Sequence, residues 1–268
     1  MAYSKPGIQG ELTAEAIEQF KSHGFCVVRQ LIPEFGQRFG LVEAFDATLA
    51  SAYGQPGQSE QAPEPPSRLQ IWPFFHYNPT LYHALLDDPR LGRLLEGLLG
   101  TGPCLTAIEG IHFRGQPTSW HHDDVGPEGF TSLKVVFALE PTSVATGCLY
   151  LLPGSHTASQ RAALESAPEA LAQGAALPGA VPIEAAVGDA VVFNIKVYHS
   201  AWGDGHTHRR GVYMGFQQRP TTAEEKTYIH KLYARDGKHL GLAGLGGPNL
   251  YYPSLFDETV SAESYQLS

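Results

Sequence analysis

Five short apolar segments in the second half of the chain restrict its fold more than any other feature: Leu105 to Phe113, Leu133 to Leu139, Cys148 to Leu152, Ala190 to Ile195 and Gly211 to Gln217. Runs of this length, punctuated by Pro and Gly, read as strands. The chain ahead of them is patterned differently. Thr13 can cap a helix whose apolar stripe is Ile17 and Phe20, with Leu12 stapled onto Ile17 and Gly24 closing it in the C′ role. Phe25-Cys26-Val27-Val28 follows as a strand, and a second helix is predicted from Glu34 to Tyr53. Gly54 to Ser67, rich in Gly, Pro, Gln and Glu, reads as a surface loop. Two further helices are predicted after Trp72, one over Thr80 to Leu86 and one opened by Asp88-Pro89 and ended at Gly100. The Ala- and Pro-rich stretch Ala158 to Pro182 reads as an excursion with one helix. Helices first and strands afterwards predict a mainly β protein with flanking helices packed on one side of a β-core.

At 268 residues the chain is expected to form one domain over 1–268. Its parts are a helical N-terminal portion over 12–100, a strand core over about 105–219 and a C-terminal extension over 220–268. With 18 Lys and Arg against 27 Asp and Glu the net charge is −9, and no basic block stands out, so nucleic acid is not an expected partner. Cys26, Cys104 and Cys148 sit in apolar settings without any CxxC, as small buried hydrophobes of a reducing compartment do. The start Met1-Ala2-Tyr3-Ser4-Lys5-Pro6 has no apolar core of a secretory signal, and no apolar run is long enough to span a bilayer. A cytoplasmic protein with a small-molecule substrate and no membrane partner is expected. No feature specifies an oligomeric state.

The chemistry concentrates in Trp120-His121-His122-Asp123, a distant His199 and Arg209. Two histidines and one carboxylate, split between a His-x-Asp pair and a remote His, match the facial set that binds non-haem Fe(II) and leaves positions open for an organic co-substrate and O2. In an extended strand residues i and i+2 share a face, so His121 and Asp123 can reach one ion while Trp120 and His122 face away. The same alternation allows His122 with Asp124, but no mixture of the two pairs. Gly188-Asp189-Ala190-Val191-Val192-Phe193-Asn194 reads as a buried strand opened by a Gly-Asp turn, delivering His199 at or just past its far end. Arg209 to Phe216 reads as the next strand, antiparallel to it, with an Arg near its start projecting inward beside the metal. A guanidinium fork suits a carboxylate.

Four ordered stretches carry a resemblance to a known family. They are Leu12 to Leu31, Trp120 to Asp123, Gly147-Cys148-Leu149 through Pro153-Gly154-Ser155-His156, and Gly188-Asp189 through Phe193, His199 and Arg209. Together the chain resembles the phytanoyl-CoA dioxygenase family of Fe(II)/2-oxoglutarate-dependent oxygenases. The resemblance implies a double-stranded β-helix, the cupin-like jelly roll, with helices flanking its major sheet. It implies iron on His121, Asp123 and His199, and 2-oxoglutarate chelating that iron with its distal carboxylate on Arg209. The family's Trp-His-x-Asp pattern favours His121 with Asp123 over the shifted pair. One departure is Ala201, two positions after the distal His, where the family often has Ser. The loop from His199 to the Arg is one residue short, which keeps Arg210 as a substitute. Since Asp123 retains the carboxylate that halogenating relatives lack, hydroxylation, desaturation or ring formation is implied rather than halogenation. The rival readings are a non-catalytic jelly-roll binding protein and a cupin metalloenzyme independent of 2-oxoglutarate. The latter usually carries His-x-His with a Glu and a further His.

Other residues have two readings each. His156 is expected to bond local backbone in a turn, and Asp189 to set the turn before its strand. His206 and His208 are expected in a solvated loop, the alternative being a zinc site with His199. Trp202, Tyr198, Phe137 and Tyr213 either wall the site or are ordinary core. His112 and Arg114 share a strand face, so one of them could meet substrate or co-substrate. Lys134 is expected to emerge at a strand edge, the alternative being an anionic partner inside the site, because an unpaired charge in an apolar strand is costly. The glycine-rich stretch Gly237 to Pro253 reads as a tail on the barrel rim or as a lid.

Overall fold

The computed structural model describes residues 8–35, 40–53, 68–71, 85–114, 117–123, 126–203, 207–229 and 231. The loop over 54–67, most of the helix predicted over Thr80 to Leu86, and the extension from 232 onward lie outside these residues. The first element, β1 (Ile8–Gln9), leads into α1 (Ala14–His23). Thr13 caps α1, its hydroxyl accepting from the Ala16 N–H at 3.4 Å. Gly24 ends it in the left-handed region at φ 83°, donating its N–H to Phe20 O. Only glycine fits there, because a Cβ would also lie 2.6 Å from His156 Nδ1. Leu12 packs over Gly97, at a point where any side chain on residue 97 would collide with it.

Next come β2 (Phe25–Arg29), α2 (Leu41–Tyr53), β3 (Arg68–Ile71) and α3 (Pro89–Leu99). Of the helix predicted over Glu34 to Tyr53, α2 is the part from Leu41; Phe35 is also helical, residues 36–39 lie outside the described residues, and Gly40 is a turn. Residues 30–34 form turns, the Glu34 carboxylate pairs with Arg90, and Gly40 at φ 49° sits in a backbone region no α-helix passes through. Helix α3 follows its prediction: the Asp88 carboxylate accepts from the Arg90 N–H at 2.9 Å and Pro89 takes the first turn. Strand by strand the remainder is β4 (Cys104–Arg114), β5 (Thr118–His121), β6 (Ser132–Ala138), β7 (Leu149–Leu151), β8 (Val181–Ile183), β9 (Ala190–Asn194), β10 (His199–Ala201) and β11 (His208–Gln217). Between β7 and β8 the excursion holds α4 (Ala158–Glu165), α5 (Pro168–Leu171) and a 3-10 turn, not the single helix expected. Pro168, which cannot continue α4, opens the second helix.

Among the described residues the strands form two sheets. Seven lie in the order β1-β2-β9-β6-β11-β4-β3, and four in the order β5-β10-β7-β8. All neighbours are antiparallel except β1 with β2. This is the jelly-roll sandwich. Strand alternation divides the large sheet. Cys26, Val28, Ile108, Leu133, Val135, Phe137, Val192, Val212, Met214 and Phe216 face the helices and pack with Phe20, Phe45 and Leu94. Phe25, Val27, Ile111, Val136, Val191, Phe193 and Tyr213 face the small sheet and meet Leu149, Leu151 and Ile183. A fully buried Phe such as Phe25 or Phe193 contributes about 1.5–3 kcal/mol over an exposed one. Strand β11 is not the antiparallel neighbour of β9 as predicted. Both pair antiparallel to β6, which lies between them, so they run parallel. The chain leaves β9, crosses to the small sheet as β10 and returns, and this crossing separates them.

Asp189 joins these parts. Its carboxylate accepts from the N–H groups of Ala186 (2.9 Å) and Gln30 (2.8 Å), from Gln30 Nε2 (3.0 Å) and from Arg29 Nη1 (2.7 Å). Burial alone would raise its pKa, but these donors outweigh burial and lower it. A depressed folded pKa stabilises above the unfolded value of about 3.9 and ceases to do so as pH falls through the folded value. Asp189→Ala should therefore cost about 3 kcal/mol in urea unfolding at pH 7, and progressively less as pH falls through the depressed folded pKa.

Candidate active site

The facing ends of the two sheets enclose a cavity lined by Thr118, His121, Asp123, Lys134, His199, Arg209 and Tyr213, with Ile111, Phe113, Leu149, Phe193 and Ala201 as its apolar wall. His121 ends β5 and His199 opens β10, and the two are directly paired across the strands. Both imidazoles therefore project from the same face, with ring centroids 4.3 Å apart. Asp123 lies beyond the end of β5, held by its N–H donating to Ile195 O at 3.0 Å. One ligand atom from each of His121, Asp123 and His199 lies within 4.8 Å of the others, and His199 Nε2 is 3.9 Å from Asp123 Oδ2.

The ring orientations suit metal binding. His121 Nδ1–H donates to Ser119 O at 2.7 Å, and His199 Nδ1–H donates to Val197 O at 3.0 Å. A carbonyl can only accept, so each Nδ1 carries a proton and the lone pair of the neutral ring is at Nε2. Phe193 packs on the His199 ring at 4.8 Å and limits its rotation. Burial lowers the His199 pKa to about 4 despite the opposing pull of Asp123. Burial would raise the Asp123 pKa, but Lys134, His199 and His121 outweigh it and bring it to about 2. Two imidazole nitrogen donors and one carboxylate, with no thiolate, form a set that fits Fe(II).

The structure separates the competing positions. Trp120 and His122 face away: the Trp120 indole donates to Gly174 O at 2.6 Å, and His122 sits edge-on to Tyr198. Asp124 lies outside the described residues. Arg209 faces the cavity. It is buried, donates to Tyr213 OH at 3.1 Å and lies 4.5 Å over the Phe113 ring, and its Nε has no hydrogen-bond partner. Arg210 points to the helix side, where it pairs with Asp46 at 2.8 Å and Glu140 at 3.1 Å. Ala201 lines the cavity, whereas the Ser200 hydroxyl donates to Thr118 O away from it.

Several expectations are corrected. Lys134 is not at an edge. It lies on β6, between β9 and β11, and meets Glu109 at 2.9 Å and Asp123 at 3.2 Å. Burial would lower its pKa, but the two carboxylates raise it. Of the four aromatics only Tyr213 lines the cavity. Phe137 faces the helices, while Tyr198 and Trp202 pack on the outer side of the small sheet. His112 is paired with Arg210, on the face away from the cavity, and stacks edge-on with His208 at 5.2 Å. His208 is thus apart from His199, and His206 is not described. His156 bonds the backbone of α1 at Lys21 O rather than its own turn. Leu149 and Phe193, part of the family-like segments in the sequence, line the cavity, as does Thr118, which no sequence signal marked; Glu109 was also unmarked, although the alternation through Ile111 and Phe113 places it on the same face.

A family model described as Phytanoyl-CoA dioxygenase (PhyH) matches residues 20–210. The chain belongs to this family. No curated protein matches it. Solved structures share the fold. AviO1 from Streptomyces viridochromogenes Tue57 is 22% identical with a TM-score of 0.60, over 79% of this chain and 97% of that one. EvdO2 from Micromonospora carbonacea var. aurantiaca, complexed with 2-oxoglutarate, is 21% identical with a TM-score of 0.57, over 83% and 98%. The epimerase SnoN, in complex with Fe3+, alpha ketoglutarate and nogalamycin RO, is 20% identical with a TM-score of 0.54, over 76% and 83%.

The lowered His199 pKa has a measurable consequence. In metal-free protein its ring should stay neutral, the form that binds a metal, until pH falls to about 4. A 1H-15N NMR titration should show Nε2 unprotonated at pH 6. A midpoint near the ordinary 6.5 would mean that the ring is solvated.

Proposed function

We propose that the protein is an Fe(II)/2-oxoglutarate-dependent oxygenase that hydroxylates a small organic molecule, with iron on His121, Asp123 and His199 and the distal carboxylate of 2-oxoglutarate on Arg209. One observation carries the reading. The triad shares a cavity with a buried guanidinium whose Nε lacks a partner, while its neighbour Arg210 is fully engaged elsewhere. A buried donor without an acceptor is rare and points to an anion that completes it.

Iron with 2-oxoglutarate supplies the oxidising chemistry, in which O2 is consumed, the oxo acid becomes succinate and CO2, and a substrate C–H bond is oxidised. The chain supplies placement. His121 and His199 present Nε2 in fixed tautomers, and Asp123 presents an ionised carboxylate. Phe113 beneath and Tyr213 beside Arg209 orient its fork for a carboxylate. Ile111, Leu149 and Phe193 give the reacting positions an apolar flank. Because Asp123 occupies the position that halide would need, hydroxylation is favoured over halogenation. SnoN, an epimerase, illustrates that this fold also serves other outcomes.

Features of the cavity support a small substrate rather than a CoA thioester. The described lining holds two cations, Arg209 and Lys134, and Lys134 is already paired with carboxylates, which leaves none for a run of phosphates. EvdO2 was solved with 2-oxoglutarate, and SnoN with iron, alpha ketoglutarate and a nogalamycin compound, all of them small ligands. Among the described residues no helix is long and apolar enough to cross a membrane.

Anaerobic addition of Fe(II) and 2-oxoglutarate should produce the weak visible charge-transfer band of the chelate, and His121→Ala should abolish it. A well-folded wild-type protein with no band would overturn the assignment. Arg209→Ala should weaken 2-oxoglutarate binding by roughly 10–100-fold, the worth of a charge-assisted hydrogen bond. Arg210→Ala should leave that affinity unchanged and lower only the thermal midpoint, by about 1 kcal/mol of stability, since its partners are partly solvated.

A further inference from the structure

The three candidate ligands are not held alike. His121 and His199 sit in paired strands, and each ring is locked by its own Nδ1 bond to a carbonyl. Asp123 has left the strand, and its backbone is anchored by one hydrogen bond to Ile195. Its side chain therefore needs a partner to fix its torsions. Among the described residues the only cation against it besides the two histidines is Lys134, whose Nζ forms an ion pair at 3.2 Å with Oδ2, an oxygen that makes no hydrogen bond.

Lys134 is itself fixed. Gly215 lies directly opposite it on β11 and carries no side chain, so the ammonium extends across that strand to Glu109 on β4 at 2.9 Å. Glu109 is paired with Tyr213 in the β4–β11 ladder, in the middle of the sheet. The side chains of Glu109 and Lys134 are 5% and 18% exposed. A lysine in a central strand is tolerated only with close counter-charges, and this one has two. Carboxylate ligands of metal sites are in turn held by outer partners, and loss of such partners typically weakens metal binding 10–100-fold.

We propose that Lys134, braced by Glu109, is a positioning residue that holds the Asp123 carboxylate in its metal-binding orientation. The proposal rests on the assignment of Asp123 as an iron ligand. Lys134 touches neither substrate nor oxidant in this role. It restricts Asp123 to one rotamer and gives it a neutralising charge until the ion arrives. Glu109 keeps the ammonium in place and prevents it from swinging into the open part of the cavity.

The test is metal affinity without turnover. Mn(II), which does not react with O2 here, is titrated calorimetrically into chelator-treated full-length protein, and Co(II) absorption reports ligand geometry. Lys134→Met should weaken Mn(II) binding by roughly 10–100-fold and change the Co(II) spectrum. Lys134→Arg should restore part of the affinity. Since a single substitution leaves buried carboxylates unpaired, the double variant Lys134→Met with Glu109→Met removes the pair together. With cooperative thermal unfolding verified, it should show the same loss. Wild-type Mn(II) affinity in the folded double variant overturns the proposal, and so does an unchanged Mn(II) affinity accompanied by weaker 2-oxoglutarate binding, which would make Lys134 an anion contact. Failure of the wild-type protein to bind any Mn(II) overturns the underlying iron assignment instead, and the proposal falls with it.

Discussion

The pairing of His199 on β10 with His121 on β5 is the constraint on which the rest of the site depends. Directly opposed residues in an antiparallel pair bring their Cβ atoms to about 4.5–5.5 Å, so one register suffices to set two imidazoles side by side on one face. A slip of one residue would turn His199 outward, to the side where Trp120 and Tyr198 pack, and Ser200 would face the cavity. The register is secured on both flanks. His199 is also opposite Leu151 on β7, and the Trp120 indole is tied to Gly174 in the excursion that covers the small sheet. The bulge between His199 and Ala201 absorbs the mismatch that follows.

The interior of the sandwich changes character along its length. At one end Val27, Val136, Val191, Leu151 and Ile183 close the two sheets against each other. At the other end the same faces carry His121, His199, Lys134 and Arg209, and the sheets enclose a cavity. Several interior charges among the described residues meet a counter-charge, and the buried Arg161 and Lys196 donate to backbone carbonyls. Asp189 has Arg29, Arg210 has Asp46 and Glu140, and Lys134 has Glu109 and Asp123. Arg209 differs, since its described partners are a tyrosine hydroxyl and an aromatic ring. A guanidinium is never neutral, and under the proposed function this is the charge that the distal carboxylate of 2-oxoglutarate would meet.

Local features of the fold were legible because their causes are local. The Thr13 cap, the Gly24 stop and the Asp88-Pro89 start each depend on a few neighbouring residues, and the structure reproduces them. The five strands were legible from length and punctuation. Alternation alone turned Trp120 and His122 away from His121, whereas the choice between Arg209 and Arg210 was left open until the structure put Arg210 on Asp46 and Glu140. What alternation cannot supply is the identity of the neighbouring strand. Lys134 read as an edge residue because an isolated apolar strand gives no hint of Glu109, which is two strands away and pairs only once β11 lies between them. Phe137 and His112 were placed near the site for the same reason: the segment approaches the triad, but the side chain belongs to the opposite face.

The chain by itself determined which residue types could bind a metal, which of them shared a strand face, and that strands would build the core. These follow from backbone geometry over a few residues. Only the tertiary structure decided that β9 and β11 are parallel and separated, that His199 belongs to the other sheet, and that Asp123, past the end of its strand, leans on a lysine held by Glu109. Those outcomes depend on contacts between residues far apart in sequence, and they exist only after the two sheets have closed on one another.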